Sequence, residues 1–154
     1  MFKIAVLISG NGSNLEALIN ACKKNFINGS VDIVISNNPD AYGIKRAKNH
    51  SVNCKIIDNN KFETREDFDQ AVVEELQEYN LDLIVLAGFM RILTPVMIKA
   101  FEKKIINIHP SLLPKYPGLD THNSVIKNGD LIHGVTIHYV NEVLDGGQII
   151  AQGE

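Results

Sequence analysis

The chain has 154 residues, of which 45% are hydrophobic and 21% charged, and a formal net charge of −3. That length fits one domain burying roughly 68–70% of its unfolded surface, and the composition is that of a folded globular protein. The mildly acidic balance, without Lys/Arg runs, argues against nucleic-acid and membrane-surface partners, and no apolar stretch approaches the ~18 residues of a membrane span. Met1–Ser9 is apolar but too short for a secretory leader, so a cytoplasmic location is expected. Cys22 and Cys54 are too few for a disulfide framework and match no metal spacing.

Lys3–Ser9 is a nearly continuous apolar run, as in a strand buried on both faces of a parallel sheet. Gly10-Asn11-Gly12 interrupts it. Leu15, Leu18, Ile19 and Cys22 then recur at helical spacing, with Ser13 and Glu16 as a capping box at the start. Val31–Ser36 predicts a second strand, Tyr42–Asn49 a short helix and Val52–Ile57 a third strand. Thr64 and Asp67 can cap a longer helix whose apolar face is Phe68, Ala71, Val72, Leu76 and Tyr79. Leu83–Leu86 is a compact buried strand. Thr94-Pro95 opens another helix, with proline at its favoured first position, and Ile105–His109 is the fifth strand. A short helix over 122–128, an alternating strand over 134–140 and a last strand over 148–152 complete the pattern. Strands alternating with helices over short connections predict an α/β fold: three layers, a mostly parallel twisted sheet with helices on both faces. One domain spans 1–154. The stop at Gly153-Glu154 without a closing helix reads as an edge strand or as a chain short of a C-terminal portion.

Four segments carry candidate chemistry. Asn107 and His109 are two residues apart on one strand, so they point the same way at its C-terminal end, the edge where ligands bind in open α/β sheets. Pro110, Pro114 and Pro117 fix φ and stiffen the loop that follows, which also contains Gly118. Gly10-Asn11-Gly12-Ser13-Asn14 joins a buried strand to a helix start, where unpaired N–H groups and the helix dipole favour an anion, a phosphate monoester above all. It is not a dinucleotide fingerprint, because Leu15 stands where the third glycine belongs. Gly88–Leu93 adds a flat apolar surface and Arg91 to the same rim. Leu144-Asp145-Gly146-Gly147 is a turn signal, and Asp145 is the carboxylate best placed to orient His109 and favour its charged form. Four of the five histidines lie between 109 and 138, but His133 and His138 have odd spacing and His109 and His122 sit in different elements, so no metal site is expected. Ser13 and Ser111 lack the G-x-S-x-G elbow of a serine hydrolase.

Assembled, Ile8–Leu15, Leu86–Leu93, Asn107–Gly118 and Leu144–Gly147 resemble the folate-dependent formyltransferase family, and within it the phosphoribosylglycinamide formyltransferases (glycinamide ribonucleotide transformylases). The resemblance implies a Rossmann-like formyltransferase fold and formyl transfer from 10-formyltetrahydrofolate, as co-substrate, to the glycyl amine of glycinamide ribonucleotide in purine synthesis. It implies that Gly12, Ser13 and Asn14 hold the substrate phosphate. Arg65, Met90, Arg91, Ile92, Leu93, Asn107, Asn141, Glu142, Val143, Leu144 and Asp145 would line the folate site. Asn107, His109 and Asp145 would be the catalytic group, with no metal, in a monomer or homodimer. Asp120 stands where relatives often have His, and the family continues past the Asp-Gly-Gly strand with a further strand and helix that contribute to the phosphate site. A formyltetrahydrofolate hydrolase sharing the same three residues, and a non-catalytic nucleotide-binding domain using only Gly10–Asn14, are the alternatives.

Overall fold

A computed structural model describes residues 1–154. The strands are β1 (Phe2–Ile8), β2 (Gly29–Ser36), β3 (Cys54–Ile56), β4 (Leu83–Leu86), β5 (Ile105–His109), β6 (Val135–Tyr139) and β7 (Ile149–Gly153). The helices are α1 (Ser13–Lys23), α2 (Tyr42–Asn49), α3 (Arg65–Gln77), α4 (Pro95–Ala100) and α5 (Thr121–Asn128). One seven-stranded sheet runs in the order β3-β2-β1-β4-β5-β6-β7. The pairings from β3 to β5 are parallel, and β6 and β7 are added antiparallel.

The period of two along each central strand divides the core into two layers. Ala5, Leu7, Ile33, Ile35, Ile84 and Leu86 pack against Phe68, Val72 and Leu76 of α3 and Met97 of α4. Ile4, Val6, Ile8, Val34 and Val85 pack the other way, against Leu15 and Ile19 of α1 and Ala47 of α2. Each such Val, Leu, Ile, Phe or Met side chain contributes roughly 1.5–3 kcal/mol by leaving water, so the unbroken apolar run of β1 makes it the centre of the sheet. Because α1 and α2 cover one face and α3 and α4 the other, the loops leaving β1 and β4 diverge and open a crevice at their carboxyl ends. Ser9 spans it: its N–H donates to the Gly88 carbonyl (3.1 Å) and its hydroxyl accepts from Met90 N (2.8 Å).

The predicted elements recur with shifted ends: β2 starts earlier, at Gly29, β3 is confined to Cys54–Ile56, β6 to Val135–Tyr139, and β7 ends at Gly153. Thr64 caps α3 as expected, its hydroxyl accepting from Asp67 N at 3.1 Å, and Pro95 takes the first position of α4. The Ser13/Glu16 capping box does not form. Gly12 is the residue before α1, in the left-handed region with φ 75, which turns the chain so that Ser13 is already helical. Glu16 is drawn instead to Arg46 and His50. His133 precedes β6 rather than sharing the strand with His138, and its Nε2 lies 2.7 Å from His122 Nδ1.

Candidate active site

Asn107 and His109 do share one face of β5. The register sets His138 opposite Asn107 and Thr136 opposite His109 on β6, so four polar side chains occupy one patch of sheet. His109 is 5% exposed. Its Nε2 donates to the Tyr116 carbonyl at 2.8 Å, which turns the ring toward the loop after β5. That loop is held by its own contacts. Ser111 Oγ donates to the Lys115 carbonyl (2.7 Å), and Tyr116 Oη donates to Asp130 (2.8 Å). The Tyr116 hydroxyl, with Lys115 beside it, holds the Asp130 carboxyl below the usual carboxylate range.

Asp145 arrives from the β6–β7 turn, with φ 51 and a side chain only 7% exposed. Oδ2 accepts from Gly118 N at 2.8 Å. Oδ1 lies 3.6 Å from His109 Nδ1 and 3.7 Å from His138 Nε2. These separations are ion-pair distances and exceed a direct hydrogen bond, so one oxygen is anchored and the other faces two imidazoles across a gap that water can bridge.

His138 is the site residue that sequence reasoning passed over. Its Nδ1 donates to the Tyr139 carbonyl (2.8 Å), so Nε2 is left to accept from Asn107 Nδ2 at 3.3 Å. One amide hydrogen of Asn107 is thereby committed and the other stays free for a ligand. The alternation within β6 puts a buried histidine at 138, but its pairing with Asn107 depends on the antiparallel register, which the sequence does not carry.

The other candidates lie in the segments that follow β1, β4 and β6 and at the start of α3. Gly12 heads α1 with Ser13 and Asn14 exposed beside it. Gly12 is required there twice over: φ is 75, and a Cβ would stand 2.6 Å from Gly43 Cα. Met90 and Ile92 are exposed, whereas Leu93 packs onto the core beneath. The Arg91 guanidinium sits 5.1 Å over the Phe68 ring, and Phe68 stacks on Phe89 at 6.4 Å, so α3 carries the 88–93 loop from below. Asp69, 2% exposed, reinforces it by accepting from both Thr94 N and Thr94 Oγ1 at 2.7 Å. Burial pushes the Asp69 carboxyl up, against the Thr94 hydrogen bonds and the Arg91 charge. Asn141, Glu142, Val143 and Leu144 are exposed on the approach to Asp145. Arg65, exposed at the start of α3, forms no hydrogen bond or ion pair with the others. Asp120 has φ 58 ahead of α5, and its carboxylate accepts from Asn123 Nδ2 at 2.6 Å, a role in starting that helix.

The chain is similar to known proteins in both sequence and fold. The sequence profile of the family described as "Formyl transferase" matches residues 2–154. The phosphoribosylglycinamide formyltransferase of Escherichia coli is 48% identical over 151 residues, covering 98% of this chain and 71% of the relative. That of Haemophilus influenzae is 49% identical over 154 residues, covering 100% and 73%. The crystal structure of glycinamide ribonucleotide transformylase 1 from Symbiobacterium toebii superposes with a TM-score of 0.97 at 43% identity, over 99% of this chain and 72% of that one. With the motifs, the sheet order and the relatives in agreement along its length, the chain belongs to the formyl transferase family.

Proposed function

We propose that the chain transfers the formyl group of 10-formyltetrahydrofolate to the glycyl amine of glycinamide ribonucleotide. The observation that carries this reading is the meeting of Asn107, His109 and Asp145 at one rim, beside β4 with its loop suited to a flat apolar ring system, and with β1 and its loop suited to phosphate next in the sheet. The names of the two similar phosphoribosylglycinamide formyltransferases support formyl transfer to the same acceptor.

The amine nitrogen forms a bond to the formyl carbon, and the formyl oxygen gains negative charge. Asn107 offers its free Nδ2 hydrogen to that oxygen, with the amide plane set by His138. Nε2 of His109 donates to the Tyr116 carbonyl and Nδ1 faces Asp145 Oδ1 at 3.6 Å, so an imidazolium formed at this position has an oxygen facing each ring nitrogen. Such an imidazolium beside the reacting carbon stabilises the oxyanion and supplies the proton that the folate nitrogen needs as its bond to carbon breaks. The proton lost by the attacking amine passes to Asp145 and from its carboxyl to His109 Nδ1, 3.6 Å away, which restores the imidazolium. Atoms balance without redox change: one C–N bond forms, one breaks, and one proton moves from the amine to the folate.

The test is product analysis with both substrates. Formylated nucleotide should form in step with loss of 10-formyltetrahydrofolate, and His109→Ala should abolish it while the melting curve still shows a folded protein. Release of free formate at the same rate with and without the nucleotide would refute the transferase reading in favour of hydrolysis. Full transfer by His109→Ala would refute the mechanism.

A further inference from the structure

We propose that Arg46 is a positioning residue for the phosphate loop, holding Asn11–Asn14 in its anion-binding form from the neighbouring helix. The role of this loop as the nucleotide-phosphate site is the reading proposed above. Its amides need outside support. The first helical bond of α1 runs from Glu16 N to the Gly12 carbonyl, so the N–H groups ahead of Glu16 point out of the helix end, and no side chain caps it. The loop backbone has instead been fastened to α2. Gly43 N donates to the Gly10 carbonyl at 3.0 Å, and Arg46 Nε and Nη2 donate to Asn11 O (2.9 Å) and Asn11 Oδ1 (3.2 Å). The third arm of the same guanidinium, Nη1, pairs with Glu16, and its Cζ lies 4.9 Å from the Tyr42 ring centre. Arg46 thus grips the residue before Gly12 and the first turn after it.

Charge points the same way. Glu16 is an acidic group in the first turn of α1, beside the amides meant for a phosphate. Arg46 and His50 occupy its two oxygens, His50 Nε2 at 3.2 Å from Oε1, so its repulsion of an incoming dianion is offset. With Nε and both terminal nitrogens engaged inside the protein, Arg46 acts through the loop. Lysine, a point charge without the planar fork, reproduces the pairing with Glu16 but not the double hold on Asn11.

Steady-state kinetics of the full chain test this. Arg46→Ala should raise the KM for glycinamide ribonucleotide by roughly tenfold to a hundredfold, the loss typical of hydrogen bonds to a charged group, with kcat and the KM for the folate unchanged. Arg46→Lys, which keeps the Glu16 pair and the fold, should still raise that KM. Arg46→Ala with Glu16→Gln should recover only part of the loss, because the hold on Asn11 is still missing. Unchanged nucleotide KM, an equal rise in both KM values, or full recovery in the double variant would overturn the positioning role. Titration of inorganic phosphate, followed through the amide resonances of Gly12, Ser13 and Asn14, separates this inference from the substrate assignment. Weaker phosphate binding in Arg46→Ala, in a protein whose wild type does not turn over the nucleotide, would sustain the positioning role and sink the assignment. Equal phosphate binding in wild type and Arg46→Ala, or none in either, would sink the positioning role.

Discussion

Replacing Asn107 by Ala separates transition-state stabilisation from folding, because the side chain has one partner on each account. Its committed hydrogen goes to His138 Nε2, and that ring is 3% exposed in its side chain. Truncation leaves this acceptor buried without a donor, at a cost of about 1–3 kcal/mol. For a domain of this size, that corresponds to a fall in melting temperature of about 2–4 °C per kcal/mol, well short of unfolding at assay temperature. The free hydrogen is expected to bond the oxyanion, and loss of one such donor costs roughly 10²–10³ in kcat, or about 2.7–4 kcal/mol. Since that bond strengthens only as charge develops, the two KM values should stay near wild type. Formyl transfer measured at 25 °C with both substrates saturating, beside a melting curve, reads both quantities. A fall in kcat smaller than about tenfold, or a loss confined to the folate KM, would show that Asn107 binds the ground state and would refute the oxyanion role.

Gly12→Ala should raise the nucleotide KM and lower stability by about 1–2 kcal/mol, since φ 75 is unfavourable to an L side chain and its Cβ would press on Gly43 Cα at 2.6 Å; a fully active, equally stable variant would show the loop free to move. For Asp69, burial raises the folded carboxyl above its unfolded value near about 3.9, so its contribution is fully present below that pH and is lost as pH rises through the folded value. In denaturant titrations, the stability of wild type relative to Asp69→Asn should therefore decline as pH rises above about 4, and a gap that widens with pH would contradict the burial argument.

What local periodicity can encode was legible, and what depends on a distant neighbour was not. The apolar run of β1, the alternation that pairs Asn107 with His109, the Thr64 cap and Pro95 at a helix start all follow from residues within one turn or one strand of each other. His138, weighed in the sequence only as a metal ligand, was not legible as a site residue because its partner, Asn107, is 31 residues away and is met only in the antiparallel register of β5 and β6. Arg46 escaped notice for the same reason, with Asn11 35 residues away. The capping box failed where two local signals compete. Gly12 can adopt the left-handed turn and start the helix one residue early, and Glu16 then finds stronger partners across α2 than the loop amide offers.

The division of the sheet explains the division of labour at its rim. The parallel strands β1 and β4 end in loops that diverge to opposite faces, which suits two ligands meeting end to end, but such loops do not return a side chain over their own strand. The antiparallel pair β6 and β7 does return one. Its turn brings Asp145 back toward β5, and Gly147 makes the return close enough, since any Cβ there would collide with the Tyr139 carbonyl. The carboxylate is then held from two sides, by the turn and by Gly118 N from the loop after β5, so its left-handed backbone (φ 51) is over-determined by the contacts around it. With Oδ2 committed to that anchor, only Oδ1 is free to face His109 and His138, and its position is set by the fold, not by the side chain's own rotamer preference. In the mechanism proposed above, a carboxylate preorganised in this way needs no rearrangement to favour positive charge on His109, which is the condition under which fixed charges contribute most to rate.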